Sequence, residues 1–276
     1  MAILTETISK PELTGYLARP ERAQGPLPGV LVIQEAWGVD AHIEDVTRRF
    51  AAAGYLALAP DLFSEGGKRP APLAAERMAE LVEFVNAGPP NLFADPAARE
   101  AALAKLPEAE RARVSESLGA MTSTVMAPAR RESLLGAVQA AARYLRQERA
   151  ETRGQKIGAV GFCLGGALSG LLACRDPQLG AAVIFYGNAP AAEEIPKIRC
   201  PVLGLYGGAD QRITSGVPAF AEAMRAAGKR LEPFVYDGVG HAFFNDGRPA
   251  YDVAAARDAF ARTLSFLHET LGEALA

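Results

Sequence analysis

Short, continuous apolar runs alternate along this chain with longer segments whose apolar residues recur every three or four positions. The runs at 29–34, 55–59, 156–160, 181–186, 202–206 and 231–236 are rich in Val, Ile, Leu and aromatic residues, with Pro, Gly or Asp close by. Runs of this length with little polar alternation predict strands buried on both faces. Helical spacing marks 43–53, 130–149, 164–174, 218–227 and 253–271. In the second of these, Leu134, Leu135, Val138, Ala141, Ala142 and Leu145 share one face. Gly54 and Gly228 supply helix stops. Strands alternating with helices predict an α/β fold, a mostly parallel sheet with helices on both faces. The segment 14–18 reads as part of an N-terminal edge hairpin. In such sheets, function gathers in the loops beyond the carboxyl ends of the strands.

Between residues 63 and 129 the alternation breaks down. Helical patterns at 73–85, 96–106 and 108–121 are separated by Gly88-Pro89-Pro90 and by Pro107. A structureless loop of that length is foreign to a compact domain. The expectation is therefore one domain over 1–276 with a helical insertion at about 63–129, lying over one end of the sheet. It serves either as a lid or as a helical pack on the sheet's flank.

Composition narrows the function classes. The 276 residues carry a net charge of −3, which gives no electrostatic reason to expect nucleic acid or an anionic membrane as partner. There is no apolar run of about 18 residues, the length a membrane span needs. The first ten residues lack the basic and apolar regions of a signal peptide. Three cysteines, Cys163, Cys174 and Cys200, form no disulfide framework, so reduced thiols in the cytoplasm are expected. Cys174 and Cys200 sit in apolar company and read as core. No metal site is expected: His42, Glu44 and Asp45 lack ligand geometry. The sequence carries no signal for oligomeric state.

The chemistry concentrates in Gly161-Phe162-Cys163-Leu164-Gly165, where an apolar run meets a helical pattern. This is the layout of a nucleophile elbow with a thiol in place of the commoner hydroxyl. Small residues flank the nucleophile because the turn is tight, and the helix N-terminus beside it favours thiolate over thiol. The rival readings are a buried apolar cysteine at a strand–helix junction and a phosphate-binding loop. The second fails because Ala167-Leu168 stand where Lys-Ser/Thr is needed.

A thiol nucleophile wants a base, and the base wants an orienting carboxylate. Of three histidines, only His241 follows a predicted strand downstream of Cys163, in a glycine-rich loop; His42 opens a helix and His268 lies in the last one. Asp210 follows another strand after Gly207-Gly208. Cys163, Asp210 and His241 then stand in the chain order of α/β-hydrolase triads, with Asp237 and Asp246 read as turn residues. By the same elbow pattern, the backbone N–H groups of Ala36 and Leu164 would form an oxyanion hole.

The segments Gln34-Glu35-Ala36-Trp37-Gly38-Val39, 54–62, 161–166, 206–210 and 240–243 resemble the dienelactone hydrolase family. The resemblance runs from about residue 28 to the C-terminus and leaves the insertion uncovered. It implies an α/β-hydrolase fold, no cofactor, and hydrolysis of a small-molecule ester or lactone through an acyl-cysteine. It also implies that Glu35 modulates the nucleophile by holding the resting thiol; the other reading is a surface glutamate paired with an arginine. Trp37 would line the pocket mouth or pack under the insertion, and Phe243 and Phe244 suggest an apolar pocket. One departure stands out. The dienelactone-specific enzymes place a substrate-binding arginine shortly after the histidine, whereas here Ala-Phe-Phe-Asn-Asp follows and Arg248 comes later. Two alternatives to hydrolysis are a redox-active thiol cycling through sulfenic acid and a non-catalytic binding module on a hydrolase fold.

Overall fold

A computed structural model describes residues 2–23, 25–89 and 91–272. Its centre is an eight-stranded sheet in the order β1-β2-β4-β3-β5-β6-β7-β8. The strands are β1 (Ile3–Lys10), β2 (Leu13–Pro20), β3 (Gly29–Ile33), β4 (Leu56–Pro60), β5 (Ile157–Phe162), β6 (Leu179–Phe185), β7 (Val202–Gly207) and β8 (Leu231–Tyr236). From β4 across to β8 every pairing is parallel; β1 and β2 form an antiparallel hairpin on one edge. All residues of β3, β4 and β5 are buried, as their unbroken apolar runs require. The hairpin extends further than sequence reasoning placed it. Most of β1 is exposed, so an edge strand of this kind leaves no apolar run to read.

Helices cover both faces. On one side α1 (Ala41–Ala52) and α9 (Val253–Leu271) set Ile43, Val46, Phe50, Ala259 and Leu267 against Val30, Val32 and Val160. On the other, α5 (Pro128–Gln147), α6 (Leu164–Arg175) and α8 (Val217–Ala226) bury Val138, Leu145, Leu172 and Phe220 against Leu31, Ile33 and Ile157. This is the α/β-hydrolase arrangement, with a four-residue turn of helix, α7 (Gln211–Thr214), following β7. Helix α1 begins two residues before its apolar periodicity does, because the Asp40 carboxylate accepts from the Ile43 N–H at 2.9 Å and caps it. β5 also runs on past Val160 through Gly161 and Phe162, up to the cysteine.

The segment 63–129 holds α2 (Ala75–Ala87), α3 (Pro96–Leu103) and α4 (Glu108–Met126), with Pro107 set between the last two. These helices enclose a small core of their own. Leu73, Met78, Leu81, Phe84, Leu103, Val114 and Met121 gather around Phe63, at the segment's start, and Trp37, which the main body contributes.

Because this core is separate from the two beside the sheet, its loss should be local. Leu81 is fully buried, and Leu81→Ala should cost about 2–5 kcal/mol. Hydrogen exchange read by mass spectrometry should find α2 and α4 deprotected while β3, β5 and β6 keep wild-type protection. Equal loss in the central strands would show instead that the two bodies unfold as one.

Candidate active site

The site is built on a backbone constraint. A β-carbon on Gly161 would overlap the Gly165 carbonyl, and one on Gly165 would overlap the carbonyls of Ile33 and Gln34. The end of β5, the start of α6 and the end of β3 can touch only because both positions are bare. The chain turns between strand and helix on Cys163 itself, at φ 53° and ψ −109°. A residue with a side chain is costly in that region and persists where its surroundings over-determine it. Here they do: the Cys163 N–H donates to the Phe185 carbonyl at 3.0 Å, and its own carbonyl accepts from Ala167 at 3.2 Å. The half-buried sulfur is thereby raised beyond the strand ends, at the positive end of α6.

Two loops bring the partners. After β7, the N–H groups of Gly208 and Ala209 donate to the carbonyls of Tyr236 (2.8 Å) and Val239 (2.9 Å), so the Asp210 turn is stitched to the loop after β8. That loop carries His241, and Ala242 at φ 61° turns the chain sharply behind it. The Asp210 Oδ2 lies 2.5 Å from His241 Nδ1, and His241 Nε2 lies 3.2 Å from Cys163 Sγ. Burial alone would push the His241 imidazolium down. Hydrogen bonds to Asp210 and Cys163, with the charges behind them, outweigh it and raise the group to about 10. Burial likewise opposes ionisation of Asp210, yet His241 holds its carboxyl below the ordinary range.

The other predicted residues fall into different places. Neither the Ala36 nor the Leu164 N–H finds an acceptor among the described residues, so both donors are free. Glu35 is almost wholly buried, and its two oxygens accept from Tyr186 Oη at 3.1 Å and Asn245 Nδ2 at 2.6 Å. It makes no hydrogen bond to Cys163, contrary to the expectation that it holds the resting thiol: its oxygens face Tyr186 and Asn245, and the sulfur is turned to His241. Phe243 and Phe244 are also corrected: they line no open pocket. Both are buried in an aromatic layer with Phe162, Phe185 and Tyr186 beneath the site. Trp37 packs into the insertion's core, 6.1 Å from Phe93, and the Arg248 guanidinium lies over its ring at 4.7 Å.

Sequence reasoning passed over four residues. Tyr186 ends β6 at φ 40°. Asn245 reaches Glu35. Asp246, taken for a turn residue, binds His42 Nδ1 at 2.8 Å and Arg49 at 2.9 Å, tying the histidine loop to α1. Arg248 has no carboxylate within ion-pair reach among the described residues, and its Nη1 is buried without a partner. Burial holds this guanidinium below its ordinary value, against the pull of Glu35, Asp40 and Cys163. For Asn245 and Asp246 the only signal was their place in the long loop 237–252 beside a candidate base; Arg248 was noted only as an arginine later than the family pattern places it, and Tyr186, directly after β6, carried no signal. Among the described residues, no group of three or more His, Cys, Asp or Glu side chains is placed to hold a metal ion.

A sequence profile of the dienelactone hydrolase family matches residues 13–271. The chain belongs to the dienelactone hydrolase family. Within that family it is 34% identical to a protein of Saccharolobus solfataricus over 257 residues, covering 93% of each. It is 32% identical to one of Escherichia coli over 273 residues, 95% of this chain and 84% of the relative. Both relatives are provisionally named carboxymethylenebutenolidases. A solved structure from Klebsiella pneumoniae, provisionally called a dienelactone hydrolase, superposes with a TM-score of 0.66. It shares 30% identity over 98% of this chain and 100% of its own. Family and fold together make the chain a hydrolase. No helix among the described residues is long and apolar enough to cross a membrane.

The Asp210–His241 pair makes a pH-dependent contribution to stability. His241 binds its proton more tightly folded than unfolded, so its share is complete below about 6.5 and is lost as the pH rises through about 10. Asp210 acts in the opposite sense: its share is present above the unfolded carboxyl's value of about 3.9 and is lost as acid protonates it. The gap in urea midpoint between wild type and Asp210→Asn should therefore be widest between about 4 and 6.5, narrowing on either side. A gap independent of pH would mean the pair carries no proton-linked stability.

Proposed function

We propose that this protein is a cysteine-dependent hydrolase of esters or lactones that works through an acyl-cysteine on Cys163. The carrying observation is the continuous hydrogen-bonded line from Asp210 Oδ2 through the His241 ring to Cys163 Sγ, on loops beyond adjacent parallel strands. Asp210 fixes the imidazole with Nε2 toward the sulfur, and His241 accepts the thiol proton. The sulfur attacks the carbonyl carbon, and the oxyanion rests on the N–H groups of Ala36 and Leu164, each such donor worth about 2.7–4 kcal/mol. His241 returns the proton to the departing oxygen, then activates water to cleave the thioester. Because thiolate leaves more readily than alkoxide, substrates with good leaving groups, such as enol esters and strained lactones, are favoured over amides.

Arg248 narrows the substrate class. Arg248 is half-buried, its Nη1 is buried without a partner, and a cation so placed with no carboxylate in ion-pair reach among the described residues calls for an anion. Seated on Trp37 and within electrostatic reach of Cys163, it suits an ester or lactone that carries its own carboxylate. The chain then reads as one hydrolase domain with 63–129 as its cover. The cover meets the site through Phe93 on Trp37 and through Asn86, whose Nδ2 donates to the Gly247 carbonyl at 3.2 Å.

With p-nitrophenyl acetate, a stopped-flow burst should accompany one acetyl group on the Cys163 peptide, and Cys163→Ala should abolish both. Turnover by that variant at near wild-type rate would remove the thiol from the mechanism. Arg248→Leu should raise KM for a carboxylate-bearing lactone about tenfold or more, the scale of one charge-assisted hydrogen bond, and leave the neutral ester nearly unaffected. Equal effects on the two substrates would deny Arg248 a role in recognising charge.

A further inference from the structure

The position of Glu35 raises a chemical problem. Ile33 pairs with Gly161 in the parallel register of β3 and β5, so Glu35 follows the end of the strand next to the Cys163 turn, and both Tyr186 and Arg248 feel the charges of Glu35 and Cys163. A carboxylate there is a strong acceptor for a thiol proton and a negative charge beside a sulfur that must itself become negative. Either effect works against His241 and against thiolate. Yet in this structure the sulfur's hydrogen-bonding partner is His241.

Two side chains from different elements occupy the carboxylate. Tyr186, at the end of β6, is buried to 1% exposure and donates its hydroxyl to Oε1. Burial first, then the neighbouring Glu35, pushes its phenol far up, so it remains a donor across the working range. Asn245, 2% exposed, donates Nδ2 to Oε2. Its orientation is not free: Oδ1 accepts from the Gly247 N–H at 3.0 Å, so a flipped amide would lose that bond and turn its oxygen toward the carboxylate. The next residue, Asp246, is anchored to His42 and Arg49 on α1, which fixes this half of the grip to the scaffold. The backbone at Tyr186 lies in the left-handed region, where a tyrosine is held only at a cost.

We infer that Tyr186 and Asn245 are positioning residues that clamp the Glu35 carboxylate off the Cys163 thiol, so that the thiol is left to His241. The clamp acts through Glu35 and touches no reacting atom. It rests on the reading of Cys163 as nucleophile and adds to it the condition under which the thiol is reactive. The ionisable groups facing this part of the site are His241 with Asp210 behind it, Glu35, Tyr186 and Arg248.

The test is the pH profile of iodoacetamide alkylation, followed on the Cys163 peptide by mass spectrometry in the intact protein. Cys174 and Cys200 interfere little: both are buried, which pushes their thiols up to about 11 and about 12. In Asn245→Ala the freed carboxylate should move the Cys163 profile to higher pH and slow alkylation at neutral pH about tenfold, as for one charge-assisted hydrogen bond. Tyr186→Phe, which keeps the ring, should act in the same direction and serves if the alanine variant does not fold. In a Glu35→Gln background neither change should move the profile further. Profiles that overlay the wild type, or a shift that persists in the Glu35→Gln background, would overturn the clamp. Absence of an acyl-Cys163 species in the wild type would overturn the nucleophile instead, and the alkylation profiles report on the clamp independently of that result.

Discussion

The close approach of three backbone segments at Gly161 and Gly165 is the constraint on which the rest depends. With no side chains there, β3, β5 and α6 come within touching distance, and Cys163 must make the whole turn from strand to helix in one residue. That single residue in an unfavourable backbone conformation sets the height and direction of the sulfur. Everything else is placed to meet it: His241 from the loop after β8, Asp210 from the turn after β7, and the free N–H groups of Ala36 and Leu164 from the segments that the glycines bring together. The parallel sheet matters to function because it delivers all these loops to the same end.

The second organising element is the run from His241 to Arg248. Within eight residues the loop supplies the imidazole facing Cys163, two buried aromatics that floor the site, the amide that grips Glu35, the carboxylate that fastens to α1, and the cation over Trp37. Alternating directions make this possible: His241, Asn245 and Arg248 face the site's polar groups, while Phe243 and Phe244 turn into the core. Asn86 donates to the same loop from the segment 63–129, so that segment and His241 share a support.

What could be read from the sequence follows from the range of the forces involved. Continuous apolar runs located β3 to β7, because a strand buried on both faces has to be apolar throughout; the run 231–236 also located β8, although as an edge strand it has no fully buried residue. Helix periodicity located α9 to the residue, since Asp252 caps it at the start and Gly272 follows its end. β1 escaped because an exposed edge strand is under no such requirement. Cys163, Asp210 and His241 could be singled out because each lies directly after a strand, where local sequence and tertiary position coincide. The partners of Glu35 could not: 151 residues separate Tyr186 from Glu35, and 210 separate Asn245 from it. Phe243 and Phe244 were misjudged for a related reason. Their nearness in sequence to the base suggested a pocket, but the left-handed turn at Ala242 sends both rings downward.

The site carries several unfavourable conformations at once. Cys163, Tyr186 and Ala242 are the three residues other than glycine with positive φ, among those described, and all lie within it; Arg248 is half-buried there, its Nη1 without a partner and no carboxylate in ion-pair reach among the described residues. Each is tolerated only because the surrounding packing enforces it. This gives the protein an uneven mutational landscape. Substitutions that relax the backbone at these points or neutralise Arg248 are the ones most able to raise the melting temperature, and they are the ones that would dismantle the chemistry. A selection for thermal robustness alone would therefore drift toward a stable, inactive fold, while one that also demands turnover would have to find its gains in the helices and the hairpin far from the elbow.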